Sequence, residues 1–469
     1  MKSEMNLTDS LSRHIASYRD ASHDPDLVDE TKKRIADCLV AMMSGSTLLP
    51  GRVARNYAAD RGGPGASTVA GTAKQTNSEM AAFANGMAAH ADETDDANDY
   101  ARIHPGASAV PAAVAIGEAD NISGRALISA VVAGYEVGVA MVLAVWPAGT
   151  KLRQSIRSTH GVGQLFGATA AAASAAALKP DQIAMALSYS VQQCSGVATL
   201  FRDPEHIEKA FAMGGMQAHS GVRAVEFIRS GFTGVADVLD NSPSFFDSYA
   251  LGGDPANLMR ELSGRSHLLT TDMKQYPTGM PIQPAAEAME AMVAEHKLRP
   301  EQVARIVCRL PSEKSRVVDN RPMPDINVQY ILSVILSDGR LTFNTAHDYN
   351  RLQAPDIRDI MSRVELIHDT GLDPAPNVKG FTRCGIVEVT MEDGRQLVHR
   401  VEAALGSRKN PMGWPHMIRK AHAVLDDDFP GEIVDEMLEW INGLDRHDSM
   451  RGISRFLGHP GTGKKRSHG

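Results

Sequence analysis

Closely spaced cysteines are missing from this chain. Its four, Cys38, Cys194, Cys308 and Cys384, are scattered through 469 residues, which leaves no metal knuckle, no iron–sulfur cradle and no CxxC redox pair. They are expected to be reduced and mostly buried. A basic excess is missing too: 48 Lys and Arg against 56 Asp and Glu give a formal net charge of −8. A nucleic-acid footprint needs a clustered basic face, so that partner is excluded, and an anionic ligand must be drawn by a few local cations. The first residues, MKSEMNLTDSLSRH, lack the apolar core of a signal peptide and carry acids that a transit peptide avoids, so a cytoplasmic location is expected. Long apolar runs are scarce. The one from Ala126 to Pro147 resembles a membrane span, but Glu136 in its middle, Gly134 and Gly138, and the lack of a flanking basic cluster predict a helix buried in a helical domain. No membrane partner is expected.

What is present points first to helix. The length predicts two structural domains that share segments. From Asp26 to Ser44 the residues Leu27, Ile35, Cys38, Leu39, Met42 and Met43 recur at helical spacing. Similar patterns continue for more than two hundred residues, among them the Ala-rich run Gly167 to Leu178. Lys179-Pro180-Asp181-Gln182 then signals a second helix through Gln192. Around residues 266 to 275 the character changes. Val303 to Leu310 and Gly385 to Thr390 read as strands, and the latter enters a hairpin through Glu392-Asp393-Gly394 to Gln396–Val401. Residues 328 to 337 read as a helix capped at Asp338-Gly339. Beyond Asn410-Pro411 the pattern returns to helix from about His416 to Leu444, a segment expected to pack back on the N-terminal part. The expected division is therefore an all-helical region 1–265, an α+β region 266–405, returning helices 406–457 and a polar, disordered tail 458–469. The Gly461-Thr-Gly463-Lys-Lys run in that tail lacks the spacing of a phosphate loop.

Chemistry concentrates in few places. Asp92, Glu93, Asp95, Asp96 and Asp99 form a dense acidic loop behind His90, followed by His104-Pro105 and the start of an Ala/Val helix, where an anion and a histidine can face each other. The loop has no EF-hand spacing. His160, in Arg157-Ser-Thr-His160-Gly161-Val-Gly163, precedes a second long helix, and its glycines permit close approach of backbone to a ligand. Taken singly, an acidic loop is usually a solvated face and a lone histidine a structural residue. Lys209, in Glu208-Lys-Ala-Phe, and Lys274, in Met273-Lys-Gln-Tyr-Pro277, gain meaning only in combination with the rest.

The combination resembles a known family. The order of the acidic loop with His104-Pro105, the His160-Gly-Val-Gly163 segment, Lys209, Lys274-Gln-Tyr-Pro277, the hairpin and Asn410-Pro-Met-Gly413 is similar to the 2-methylcitrate dehydratase and cis-aconitate decarboxylase (MmgE/PrpD) family. Asn85-Gly-Met-Ala-Ala-His90, Gly134-Tyr-Glu136 and Gly231-Phe-Thr-Gly234 support the likeness, which spans all but the tail. It implies a mainly α fold: a large all-helical domain built from both ends of the chain, with a smaller inserted α+β lid. It further implies a homodimer and a cleft site without metal or organic cofactor.

Carried over position by position, the family's site falls on Asp95, Asp96, His104, His160, Lys209 and Lys274. Proton removal next to a carboxylate builds negative charge that ammonium groups stabilise, and two imidazoles suit the acid–base work. His104, His160, Lys209 and Lys274 are therefore expected to be catalytic, with Glu93, Asp95, Asp96 and Asn98 binding or orienting. Glu93, Thr94, Ala97 and Asn98 depart from the family's DFDDT-H pattern, as does Ala212 where a histidine is usual and Thr278-Gly-Met-Pro281 after the second lysine. A site with altered polar groups selects an altered or smaller substrate. The expectation is a lyase, dehydratase first, acting on a small polycarboxylate. Decarboxylation, epimerisation as in iminodisuccinate epimerase, a non-catalytic acid binder, and a metal-dependent hydrolase using His90 and His104 are the alternatives.

Overall fold

The structure is a computed structural model that describes residues 6–146, 157–250, 252–375, 380 and 382–461. Its contacts divide the chain into two units: residues 6–91, 95–271 and 428–461 form the first, and 92–94 with 272–427 the second.

The first unit is helical apart from a two-stranded ribbon, β1 (Ser67–Thr68) paired with β2 (Gln75–Thr76). Its main helices are α1 (Leu7–Ser17), α2 (Pro25–Gly45), α3 (Leu49–Arg61), α4 (Ser78–Ala89), α5 (Gly106–Asp120), α6 (Gly124–Val145), α7 (His160–Ala175), α8 (Pro180–Gln193), α9 (Ile207–Ala210) and α10 (Met216–Arg229). Local chemistry starts them: Asp24, Asn77 and Ser123 cap α2, α4 and α6 by accepting a backbone N–H two or three residues on. The apolar run is α6, the one helix among the described residues long and apolar enough to cross a membrane, and it is buried. Its glycines explain the burial. A Cβ on Gly134 would sit 3.1 Å from the Gly167 carbonyl, and one on Gly167 only 2.7 Å from the Gly134 carbonyl, so α6 and α7 cross nearly backbone to backbone. Glu136 is satisfied where it lies, accepting from the Ser266 hydroxyl and from the N–H of His267 (2.8 Å) and Leu268 (3.2 Å).

The second unit holds a four-stranded sheet in the order β4-β3-β5-β6, where β3 is Val303–Pro311, β4 Val364–Asp369, β5 Gly385–Met391 and β6 Gln396–Val401. The hairpin read from the sequence is β5–β6, in register from Gly385↔Val401 to Thr390↔Gln396. Gly394, at φ +85°, makes its turn. Alternating burial along β5 marks the face that packs on the helix Gln283–His296, while the helix Val328–Asp338 packs on β4 and ends at left-handed Gly339 as anticipated. Strand β4 runs parallel to β3 and was not anticipated.

The contact division falls at 271/272 and 427/428 rather than 265/266 and 405/406. The helical stretch expected from His416 to Leu444 consists of Trp414–Leu425 and Gly431–Asn442, separated because Pro430 between them cannot continue the ladder. The first belongs to the second unit and only the other packs on α2. Residues 462–469 of the expected disordered tail, most of its Gly-Lys run included, lie outside the described residues.

Candidate active site

In the first unit α5 and α7 pack together, and their N-terminal ends bring two histidines into contact. His104 precedes α5 and His160 opens α7; their rings lie 5.7 Å apart between centroids at an angle of 21°, an offset stack. Each ring is fixed by its Nδ1. His104 Nδ1 lies 2.7 Å from the Asp96 carbonyl and 3.2 Å from Asp95 Oδ2; both neighbours accept, so this nitrogen carries the proton. His160 Nδ1 lies 2.7 Å from Gln164 Oε1. Burial pushes the His160 imidazole well below its ordinary range, and positive charge at His104 adds to the effect while the Gln164 bond opposes it. His160 is therefore neutral at neutral pH.

The carboxylates of the acidic loop orient this pair. Asp95 Oδ2 also accepts from His90 Nδ1 at 2.9 Å, and the His90 ring sits 4.6 Å from His104 and 5.3 Å from His206. Asp96 ties the start of α5: its Oδ1 accepts from Gly106 N at 3.1 Å and its Oδ2 from the Tyr135 hydroxyl at 2.5 Å. Burial raises the Asp96 carboxyl to about 6; the Tyr135 bond opposes the rise, and Asp95 and Asp37 add to it. Asn98 is engaged in holding its own loop, with Nδ2 donating to Thr271 Oγ1 at 3.1 Å and Oδ1 accepting from Ala101 N. Lys209 lies on α9, half-buried, and its charge also depresses His160.

Residues 92–94 belong to the second unit, where each is held by a cation. Lys274, fully buried, pairs with Glu93 at 2.9 Å; Lys420 Nζ donates to the Thr94 carbonyl at 3.0 Å; His347 Nε2 lies 3.0 Å from Asp92 Oδ2. Burial works against both charges of that last pair. Their mutual bond and attraction outweigh it, so Asp92 sits below the usual carboxylate range and His347 above the usual imidazole range. His347 Nδ1 meanwhile faces the Phe343 carbonyl at 2.7 Å, which completes a doubly protonated ring.

The structure thus groups His104, His160, Asp95, Asp96, Asn98 and Lys209 in the first unit, and Glu93 with Lys274 in the second. Within the first unit, His90, Asp95 and His104 offer metal-ligand atoms within 4.8 Å of one another. As they stand, the two imidazoles donate to the carboxylate, the arrangement of a hydrogen-bonded network. The sequence reading missed Gln164, Tyr135, His206 and His347. Only Gln164 carried a local signal, four residues beyond His160 and so on the same helical face.

The described residues form a mainly helical chain in which two stacked imidazoles, His160 buried and His104 half-buried, lie against a network of carboxylates. The family follows from comparison with known families. The MmgE/PrpD N-terminal domain matches residues 9–257 and the MmgE/PrpD C-terminal domain residues 276–441, so the chain belongs to the MmgE/PrpD family. No curated protein matches it.

Proposed function

We propose that the protein is a cofactor-independent lyase, a dehydratase before a decarboxylase or epimerase, that acts on a small polycarboxylate through an enolate-like intermediate. Family membership supports a dehydratase-like or related activity in general. The observation that carries the finer reading is the His104–His160 stack, two imidazoles whose Nδ1 atoms are both committed to acceptors, so that each can work only through Nε2. His160, neutral and aproton at Nε2, suits the base that removes the proton next to a carboxylate. The negative charge of an arriving polycarboxylate would strengthen it by favouring its charged form. His104, with Asp95 beside its Nδ1 to stabilise the imidazolium, suits the acid that gives a proton to the departing hydroxyl, and water leaves with both protons accounted for. Two helix N-termini and Lys209 favour the anion. The small acid is the expected partner, with a second copy of the chain forming a homodimer in the cytoplasm.

Proton NMR in deuterated buffer with a panel of small di- and tricarboxylates tests the reading. A new vinyl signal with all carbons retained is the expected result; loss of a carbon indicates decarboxylation, and exchange at one carbon without net product indicates epimerisation. Binding of a panel acid with neither exchange nor product would sink the enzymatic reading in favour of a binder.

A further inference from the structure

The residue that decides which nitrogen of His160 is basic lies one turn further along α7. Gln164 is buried, with 1% of its surface exposed, so no solvent competes for its amide. Its Nε2 donates to the Met213 carbonyl. A carbonyl can only accept, so this contact fixes which end of the amide is which: Oε1 must be the atom that faces His160 Nδ1 at 2.7 Å. An amide oxygen also only accepts, and Nδ1 must therefore hold the ring's proton.

The Met213 carbonyl belongs to an unusual turn. Residues Phe211–Gly215 form a π turn between α9 and α10, closed by the Met216 N–H on the Phe211 carbonyl. Such insertions redirect carbonyls that an α-helix would consume in its own ladder. Two glutamine amides read the carbonyls here, Gln164 on Met213 and Gln217 on Ala212 at 3.1 Å. The turn itself is pinned on α4, since a Cβ on Gly214 would lie 2.1 Å from the Gly86 oxygen. Lys209 sits on the short helix that runs into it.

We infer that Gln164 is a positioning residue, oriented by the π-turn carbonyl of Met213, that holds His160 in the tautomer protonated at Nδ1 and so makes Nε2 its basic atom. This rests on the reading of His160 as a base, yet the tautomer is measurable without any substrate. Free imidazole in histidine prefers its proton on Nε2, so the site must impose the opposite choice. A glutamine that merely fills space would impose none.

Long-range proton–nitrogen NMR on protein labelled with ¹⁵N-histidine, with His160→Asn to assign the signal, reads the tautomer directly. In the unsubstituted protein His160 is expected to carry its proton on Nδ1. Gln164→Met, which keeps the length and removes both hydrogen bonds, should move it to Nε2, whereas Gln164→Glu, which keeps an acceptor, should leave it on Nδ1. With a turning-over substrate, Gln164→Met should lower kcat on the order of 10²-fold with KM little changed. A proton on Nε2 in the unsubstituted protein, or an unchanged tautomer in Gln164→Met, overturns the inference; if that variant does not fold, the unsubstituted spectrum and Gln164→Glu decide. A failed substrate panel with the expected tautomers would discard the proposed reaction and leave the positioning role standing.

Discussion

The Asp96 carboxyl titrates near 6 in the folded chain and at its ordinary value near 3.8 when unfolded, so between those values the folded protein holds a proton that the unfolded chain has lost. Stability at this site is present at low pH and declines as pH rises through that window, by about 3 kcal/mol at most. Asp96→Asn is expected to remove this slope, so that urea midpoints of the two proteins converge below pH 4 and separate towards pH 7 in favour of the variant. The two stacked histidines should behave otherwise. His104→Asn and His160→Asn are each expected to lower turnover by about 10²–10⁴-fold with the circular dichroism unchanged, since both sit at helix starts and neither fills the core. Both histidines were legible in the sequence because they stand in recognisable strings before two helices. Tyr135 and His347 were not, because a tyrosine and a histidine with no motif around them gain a role only from what the fold sets against them, and Gln164 offered only its place four residues beyond His160.

Helices α6 and α7 pack closely because small residues meet between them, Gly134 against Gly167. A methyl group at Gly167 meets a backbone oxygen, which cannot swing aside as a side chain would. Gly167→Ala is therefore expected to destabilise the first unit by about 1–3 kcal/mol, read as a lower urea midpoint, while a substitution at Gly231, whose Cβ would meet nothing within 4 Å, acts only through its backbone angle. Hairpin β5–β6 was legible because its partners are neighbours in sequence and its turn carries Gly394. Strand β4 was not, since its parallel partner β3 lies more than fifty residues earlier and nothing local announces such a pairing. The break at Pro430 was there to be read. The apolar periodicity resuming on either side obscured it.

Across the whole molecule, the pair Asp92–His347 gives the second unit a charge dependence of its own. The depressed Asp92 contributes stability above its unfolded value of 3.8, lost as pH falls through the folded one; the raised His347 contributes stability below 6.5, lost as pH rises through the folded one. Both contributions are complete between those limits. His347→Leu leaves Asp92 buried without its cation and is expected to cost about 3–5 kcal/mol in that range, with the penalty shrinking at alkaline pH, as urea unfolding at pH 5 and pH 9 would show. A homodimer would elute in size-exclusion chromatography at twice the chain mass of 50.4 kDa. The sequence by itself determined the helical class, the hairpin and the family, because periodicity, caps and motif order are local properties written in consecutive residues. Only the tertiary structure decided that residues 92–94 go with the second unit and that Glu93 takes Lys274 as its partner. Those outcomes depend on which donors and acceptors meet once water is excluded, and contacts between residues tens to hundreds of positions apart have no signature in the order of the chain.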